Sequence, residues 1–210
     1  MKKIILLSFI LLSYIFAFPQ WRWQNPLPQG NGLTSICFTN SKTGYAVGDA
    51  GTILKTTDGG LNWNIFSMGP DYYFYSMFFT NADTGFAAGI NGSGGIIVQT
   101  KDAGNTWDTV FQPGYNEIYS IFFPDANTGY ALQGSGILKT TDAGLIWTPL
   151  SKGPMMNLTS VYFPDSTTGY AVGWADVFVL SLILKTTNGG TNWTLLLNEP
   201  EIPMMLNSVF

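Results

Sequence analysis

The amino-acid sequence predicts an all-β protein, a β-propeller of four-stranded antiparallel blades with four complete repeats, partial terminal blades and an incomplete ring. Two observations lead to this fold class. Charged residues make up only 10% of the chain, whereas glycine (24 residues) and aromatic residues (15%) are abundant, which favours short strands and tight turns over helices. One unit of about 40 residues also recurs four times, and four strands in that length is the size of a propeller blade.

The repeat is marked by glycine and tryptophan residues at matching positions. We place the units at about 33–70, 75–113, 118–153 and 158–200, and residues 206–210 begin a further unit. Because a single blade cannot bury both of its faces, the units must stack on one another. The marker residues are Gly44, Gly85, Gly129 and Gly169, followed by Trp63, Trp107, Trp147 and Trp193.

Each unit is expected to contain four short strands, A to D. In the first unit these are residues 34–38, 44–47, 52–56 and 63–66. All four are rich in β-branched or aromatic residues and are bounded by glycine, asparagine or aspartate, which is typical of an antiparallel meander.

The turn between strands C and D carries the sharpest motif. It reads TTDGGLNW, TKDAGNTW, TTDAGLIW and TTNGGTNW in the four units. An aspartate or asparagine can close such a turn by accepting backbone N–H bonds, glycine supplies positive φ, and tryptophan packs between the sheets. The sequence therefore predicts a structural role for Asp58, Trp63, Asp102, Trp107, Asp142, Trp147, Asn188 and Trp193, with looser turns where Ile146 and Asn188 depart from the pattern.

These turns resemble the Asp-box of BNR-repeat propellers. Together with the phrases TGYAVG and GTILKTTDGG, the repeats are most similar to the photosystem II assembly factor-like (YCF48-like) family, a repeat found in secreted bacterial proteins. The resemblance covers residues 21–210 and implies the propeller fold. It also implies a basic, arginine-rich docking surface, which this chain does not supply because Arg22 is its one arginine.

The first residues predict an exported protein. Lys2 and Lys3 precede an apolar run that ends near the small residue Ala17, so residues 1–17 are interpreted as a signal peptide. The run is shorter than the ~20 residues of a spanning helix, and no transmembrane segment is expected after cleavage. We expect an extracellular, periplasmic or cell-surface location.

The ends of the repeat region indicate a fragment. Residues 21–28 match a strand D, and residues 206–210 match the start of a strand A. Strands B and C of that last blade are absent, so a longer natural chain with about six to eight blades is expected.

The residue inventory argues against most chemistry. The net charge of −4 disfavours nucleic acid as a partner. Without histidine there is no Ser-His-Asp triad and no zinc site of the common kind, and one arginine cannot form a sialidase carboxylate clamp. The sequence predicts no catalytic residue, no metal ligand and no cofactor.

A binding face is expected where the D-to-A and B-to-C connections converge. The fourth unit carries an insertion in its B-to-C connection, and insertions in repeats tend to lie on the binding face. The alternative is a longer hairpin that only packs on its neighbour. The candidate contact residues are Tyr72, Tyr73, Tyr115, Trp174, Asp176 and Phe178.

The leading functional hypothesis is a non-catalytic, secreted or envelope-associated module that binds or scaffolds a protein or glycan partner. The alternative is a glycan-binding or glycoside-hydrolase-like propeller whose active residues lie partly in missing blades. A glycosidase needs two carboxyl groups across a cleft, and Asp49 with Asp176 is the pair that qualifies by position.

Overall fold

The computed structural model describes residues 30–114, 116–134, 136–150, 157–175, 180–199 and 206–210. These residues form four separate four-stranded antiparallel sheets and contain no helix, which confirms the predicted fold class. The interpretations of residues 1–17 as a signal peptide and of 21–28 as a strand lie outside the described residues.

Each sheet is one blade, and its strands follow one another in chain order. Blade 1 contains β1 (Leu33–Phe38), β2 (Gly44–Gly48), β3 (Thr52–Thr56) and β4 (Asn64–Ser67). Blade 2 contains β5 (Tyr73–Phe79), β6 (Gly85–Asn91), β7 (Gly94–Thr100) and β8 (Asp108–Gly114). Blade 3 contains β9 (Ile118–Phe122), β10 (Gly129–Gln133), β11 (Gly136–Thr140) and β12 (Thr148–Pro149). Blade 4 contains β13 (Asn157–Tyr162), β14 (Gly169–Ala175), β15 (Leu180–Thr186) and β16 (Thr194–Glu199).

The last strand of blade 1 begins one residue later than the sequence predicts. Strand β4 starts at Asn64, and Trp63 still belongs to the turn. Its indole ring folds back beside Gly60, so the backbone at Trp63 has not yet entered the ladder.

Aromatic stacking joins each blade to the next. The second residue of strand B in one blade stacks on the phenylalanine at, or directly after, the end of strand A in the following blade. These rings are almost wholly buried, so most of the hydrophobic core lies between blades. The stacked pairs, with their centroid separations, are Tyr45 and Phe79 (4.1 Å), Phe86 and Phe123 (4.4 Å), and Tyr130 and Phe163 (3.8 Å).

The innermost strands are also linked by serine hydroxyls. Ser35 Oγ accepts a hydrogen bond from the Met77 amide (3.3 Å) and Ser76 Oγ accepts one from the Ile121 amide (3.2 Å). Ser160 Oγ accepts the amide of Val209 at 3.2 Å in the same way. Residues 206–210 therefore contact blade 4 as the first strand of a further blade would.

Candidate binding face

The connections between strands form two opposite faces. On the face that we call the lower face, the C-to-D turns bond the A-to-B connections, as in Gly59 N to Lys42 O (2.8 Å). On the other, the upper face, the B-to-C connections bond the D-to-A connections. Examples are Gly51 N to Tyr72 O (2.6 Å) and Gly134 N to Glu117 O (3.2 Å).

The C-to-D turns share one hydrogen-bond pattern, shown here by blade 3. The buried Thr140 hydroxyl donates to Asp142 Oδ1 (2.7 Å) and accepts the Gly144 amide (3.0 Å). The same carboxylate oxygen accepts the Ile146 amide at 2.9 Å. The corresponding bonds recur in the other three blades, where Asp58, Asp102 and Asn188 take the place of Asp142.

The two departures from the motif leave the turn closed. Asn188 Oδ1 accepts bonds from the Thr186 hydroxyl (3.0 Å) and the Asn192 amide (2.9 Å), as a carboxylate would. Ile146 removes only the side-chain bond that Thr106 makes to the carboxylate of blade 2 (2.7 Å). The expected loosening is therefore not seen in the main-chain hydrogen bonds.

The tryptophans pack against the phenylalanine at, or directly after, the end of strand A. Trp147 meets Phe123 edge to face at a centroid separation of 5.8 Å, and its Nε1 donates to Gly144 O at 3.1 Å. Trp107 and Trp193 are oriented similarly, but their buried Nε1 atoms have no partner. All eight residues of the predicted turn motif thus lie at the lower face or just inside it.

Backbone hydrogen bonds hold the turn carboxyls ionised. The N–H of Asn62 lowers the pKa of Asp58 to about 2, and the N–H of Thr106 lowers that of Asp102 to about 2. Since the pKa is depressed in the folded state, the stabilisation is present above the ordinary value of 3.8 and is lost as the pH falls towards 2.

We expect the substitution Asp102→Asn to preserve the fold and to reduce its acid sensitivity, because the amide oxygen can accept the same bonds, as Asn188 does, without titrating. The check is the urea midpoint at pH 7 and at pH 2.5, followed by circular dichroism. The variant should lose less stability between the two pH values than the wild type does. An equal loss would mean that this carboxyl contributes nothing to acid unfolding.

The predicted upper-face residues are placed in different ways. Tyr72 is half-buried and packs against the core between blades 1 and 2, so it is not free to bind. Tyr73 is 44% exposed and lines, with Asp71 and Ile90, an open pocket of about 250 Å³. Trp174 is half-buried in β14, where it pairs with Ser181 of β15, and it lies two blades away from Tyr73. Tyr115, Asp176 and Phe178 lie outside the described residues.

A cluster that the sequence reasoning missed lies at the same face. Tyr75 of β5 and Tyr119 of β9 stack with their ring centroids 5.7 Å apart and their planes at 18°. Burial raises the pKa of Tyr75 to about 12, and the nearby Glu117 carboxylate adds to the shift. Burial and the same carboxylate raise the pKa of Tyr119. We call Tyr75, Glu117 and Tyr119 the tyrosine cluster.

One feature of the repeat could have identified this cluster. The residue before the serine that recurs in strand A is Thr34 in blade 1 and Thr159 in blade 4. Each threonine hydroxyl donates to the backbone of the next inner segment at 2.6 Å, to Phe74 O and Leu206 O respectively. Tyr75 and Tyr119 replace this structural residue in blades 2 and 3. Because the tyrosines replace a residue that the fold uses in blades 1 and 4, they indicate a role other than stabilising the fold.

Two further observations bear on the chemistry of the described residues. No group of three or more histidine, cysteine, aspartate or glutamate side chains among them could hold a metal ion. Within the same ranges, no helix is long and apolar enough to cross a membrane.

Comparisons with known proteins identify a similar family and a similar curated protein. A family model described as photosynthesis system II assembly factor YCF48 matches residues 16–114. The photosystem II assembly protein Ycf48 of Synechococcus sp. (strain JA-3-3Ab) is 33% identical over an alignment of 91 residues, which covers 39% of this chain and 27% of that protein.

Two solved structures show the same architecture. The structure of YCF48 bound to D1 peptide has a TM-score of 0.65 at 21% identity and covers 84% of this chain and 56% of that one. An ancestral GH74 enzyme has a TM-score of 0.65 at 22% identity and covers 78% of this chain and 25% of that one. The chain thus spans little more than half of the first structure, and at these identities the likeness establishes the fold alone.

The comparisons correct the predicted location. The matched family model and the curated relative are both photosystem II assembly proteins, which do not work outside the cell. The prediction of an extracellular, periplasmic or cell-surface protein is therefore wrong. It depended on residues 1–17, and a short apolar run after two lysines does not specify one final compartment.

Proposed function

We propose that this chain, a YCF48-like β-propeller built from BNR repeats, is a non-catalytic module that binds a partner protein on its upper face. Its resemblance to this group of propellers, first seen in the repeated TGYAVG phrases, is confirmed by the family model and the solved structures. Because one fold serves many functions, the argument for binding depends on the side chains of the face itself.

The observation that carries the proposal is a difference between the acidic residues of the two faces: those of the lower face close turns, and those of the upper face do not. At the lower face, carboxylates such as Asp58, Asp102 and Asp165 accept backbone N–H groups of their own turns. At the upper face, the side chains of Asp49, Asp71 and Glu117 close no such turn. Asp71 lines a pocket with the exposed Tyr73, and Glu117 lies near the exposed Tyr119. Exposed aromatic and charged groups without a structural task favour binding.

The same residues disfavour catalysis. A glycosidase needs one carboxyl whose pKa is raised so that it can donate a proton. Every described carboxyl whose pKa departs clearly from its ordinary value has a lowered pKa. In Asp142, for example, the hydrogen bond from the N–H of Ile146 lowers the pKa. Asp176, the proposed partner of Asp49 in a glycosidase pair, lies outside the described residues.

A protein partner also agrees with one structural neighbour, the YCF48 propeller that was solved with a D1 peptide bound to it. By analogy, we propose that this chain holds an extended polypeptide segment. The support for a glycan ligand is the likeness to the GH74 enzyme, and that likeness concerns the fold alone.

The proposal is tested by offering the immobilised chain a peptide array of acidic, basic and apolar sequences, a glycan array, and xyloglucan as a hydrolase substrate. We expect saturable binding to a subset of the peptides, no binding to glycans and no release of reducing sugar. Sugar release, or glycan binding without peptide binding, would establish the alternative function and overturn this one.

A further inference from the structure

We infer that the tyrosine cluster binds an arginine side chain in a basic segment of the partner protein. This inference rests on the proposed function and names the site and the chemistry of the segment that occupies it. It depends on the geometry of Tyr75, Glu117 and Tyr119 and on the distribution of charge over the two faces.

The cluster joins an aromatic surface to a carboxylate. Tyr119 is 41% exposed and stacks on the half-buried Tyr75, so the pair presents ring surface near the upper ends of the innermost strands. The Glu117 carboxylate lies close enough to both hydroxyl groups to raise their pKa values, and it is half-buried. A guanidinium group stacks on aromatic faces and donates paired hydrogen bonds to a carboxylate, so this combination fits arginine better than a neutral side chain.

The surroundings of the cluster are negative. Asp49 of the neighbouring B-to-C connection is close enough to contribute to the raised pKa of Tyr75, after burial, Glu117 and Tyr119. Asp71 lies on the adjoining D-to-A connection. Among the described residues, none of these three acidic side chains is ion-paired with a lysine.

The positive charges lie at the other face. The five described lysines all belong to A-to-B connections, to C-to-D turns or to the ends of the strands that lead into those turns. Some are already engaged there: Lys139 Nζ donates to Gly189 O at 2.7 Å and lies over the Tyr130 ring. At the lower face these lysines offset most of the carboxylates, whereas no described lysine lies near Asp49, Asp71 and Glu117, so a basic segment is attracted more strongly to the upper face. The five are Lys42, Lys55, Lys101, Lys139 and Lys185.

The repeat supplies the variants for the test. Threonine occupies the position of Tyr75 and Tyr119 in blades 1 and 4 and bonds the next inner segment there. The substitution Tyr119→Thr therefore removes the aromatic surface while it restores the residue that the fold uses elsewhere. Glu117→Gln removes the charge and keeps the shape. Asp83→Asn removes one exposed negative charge from the lower face and is the matched control.

The probe is a fluorescent twelve-residue Gly/Ser peptide with three arginines, compared with peptides that carry citrulline, lysine or glutamate at the same positions. Anisotropy with the full chain should show saturable binding of the arginine peptide, weaker binding of the lysine peptide and none of the citrulline or glutamate peptides. Tyr119→Thr and Glu117→Gln should each weaken binding about tenfold, and Asp83→Asn should leave it unchanged.

Three outcomes overturn the inference. They are no binding of the arginine peptide, equal binding by the wild type and Tyr119→Thr, and a loss in Asp83→Asn as large as that in Glu117→Gln, which would indicate diffuse attraction. Failure here is separable from failure of the proposed function. A chain that binds acidic or apolar peptides of the array but not the arginine peptide keeps its function as a protein-binding module and loses only this site.

Discussion

The substitution Gly129→Ala is expected to destabilise the protein by about 3 kcal/mol, because the new methyl group would enter the space of a buried ring. A Cβ at this position would lie 2.5 Å from Cε1 of Phe123. The Phe123 ring cannot move aside, since Phe86 stacks on it at 4.4 Å and Trp147 meets it edge-on at 5.8 Å. The marker glycine of each repeat is therefore a packing residue rather than a turn residue.

Blade 1 offers a matched control for this prediction. A Cβ at Gly44 would lie 2.6 Å from Phe38, the same contact as at Gly129. Phe38, however, is 46% exposed, whereas Phe123 is 3% exposed, so the ring of blade 1 can turn away. We expect Gly44→Ala to cost less than about 1 kcal/mol.

The measurement is the urea midpoint of both variants, followed by tryptophan fluorescence and circular dichroism. If Gly44→Ala and Gly129→Ala are equally harmful, the cost arises within the strand and the stacked neighbour is irrelevant. If both are neutral, the phenylalanine ring of blade 3 has room to move that the contacts do not indicate.

The blades could be predicted from the sequence because their determinants are local and repeated. A buried threonine, an aspartate or asparagine and a glycine at fixed spacing close the same turn four times. Asn188 shows that the turn needs an acceptor oxygen rather than a charge. The start of β4 was misplaced by one residue because the indole of Trp63 folds back into the turn, which composition does not reveal.

The tyrosine cluster could not be predicted in the same way. Tyr75 and Tyr119 lie in runs of aromatic residues that resemble the core, and alternation along a strand does not distinguish a ring buried between blades from one at the upper face. The closeness of Tyr75 to Glu117 depends on how consecutive blades pack. Of the residues proposed from the sequence, Tyr73 is exposed on the same face, whereas Tyr72 is bound into the core.

The largest effect at a blade interface is expected for Tyr130→Ala. Tyr130 is wholly buried, stacks on Phe163 of blade 4 at 3.8 Å, and donates its hydroxyl to Gly189 O at 2.9 Å. Removal of a buried aromatic ring costs about 3–5 kcal/mol. Because neighbouring repeats are stabilised mainly by their shared interface, this loss should also uncouple blade 4 from blade 3.

The conservative variant Tyr130→Phe separates the ring from the hydroxyl. Lys139 Nζ also donates to Gly189 O, at 2.7 Å, so that carbonyl keeps a partner when the hydroxyl is removed. Blade 2 already has this arrangement: Phe86 carries no hydroxyl, and the side-chain amide of Gln99 donates to Ala143 O at 3.2 Å. We therefore expect Tyr130→Phe to cost no more than about 1 kcal/mol.

Hydrogen exchange followed by mass spectrometry distinguishes local from global effects of the Tyr130→Ala substitution. Amides of β14 and β15 should exchange much faster in this variant, while those of β2 and β6 stay protected, and urea unfolding should separate into two transitions. Uniformly faster exchange would show that the described blades unfold as one cooperative unit. If Tyr130→Ala and Tyr130→Phe lose the same amount of stability, the hydroxyl group provides the stabilisation. The ring stacking that recurs at all three interfaces between the four described blades would then contribute nothing.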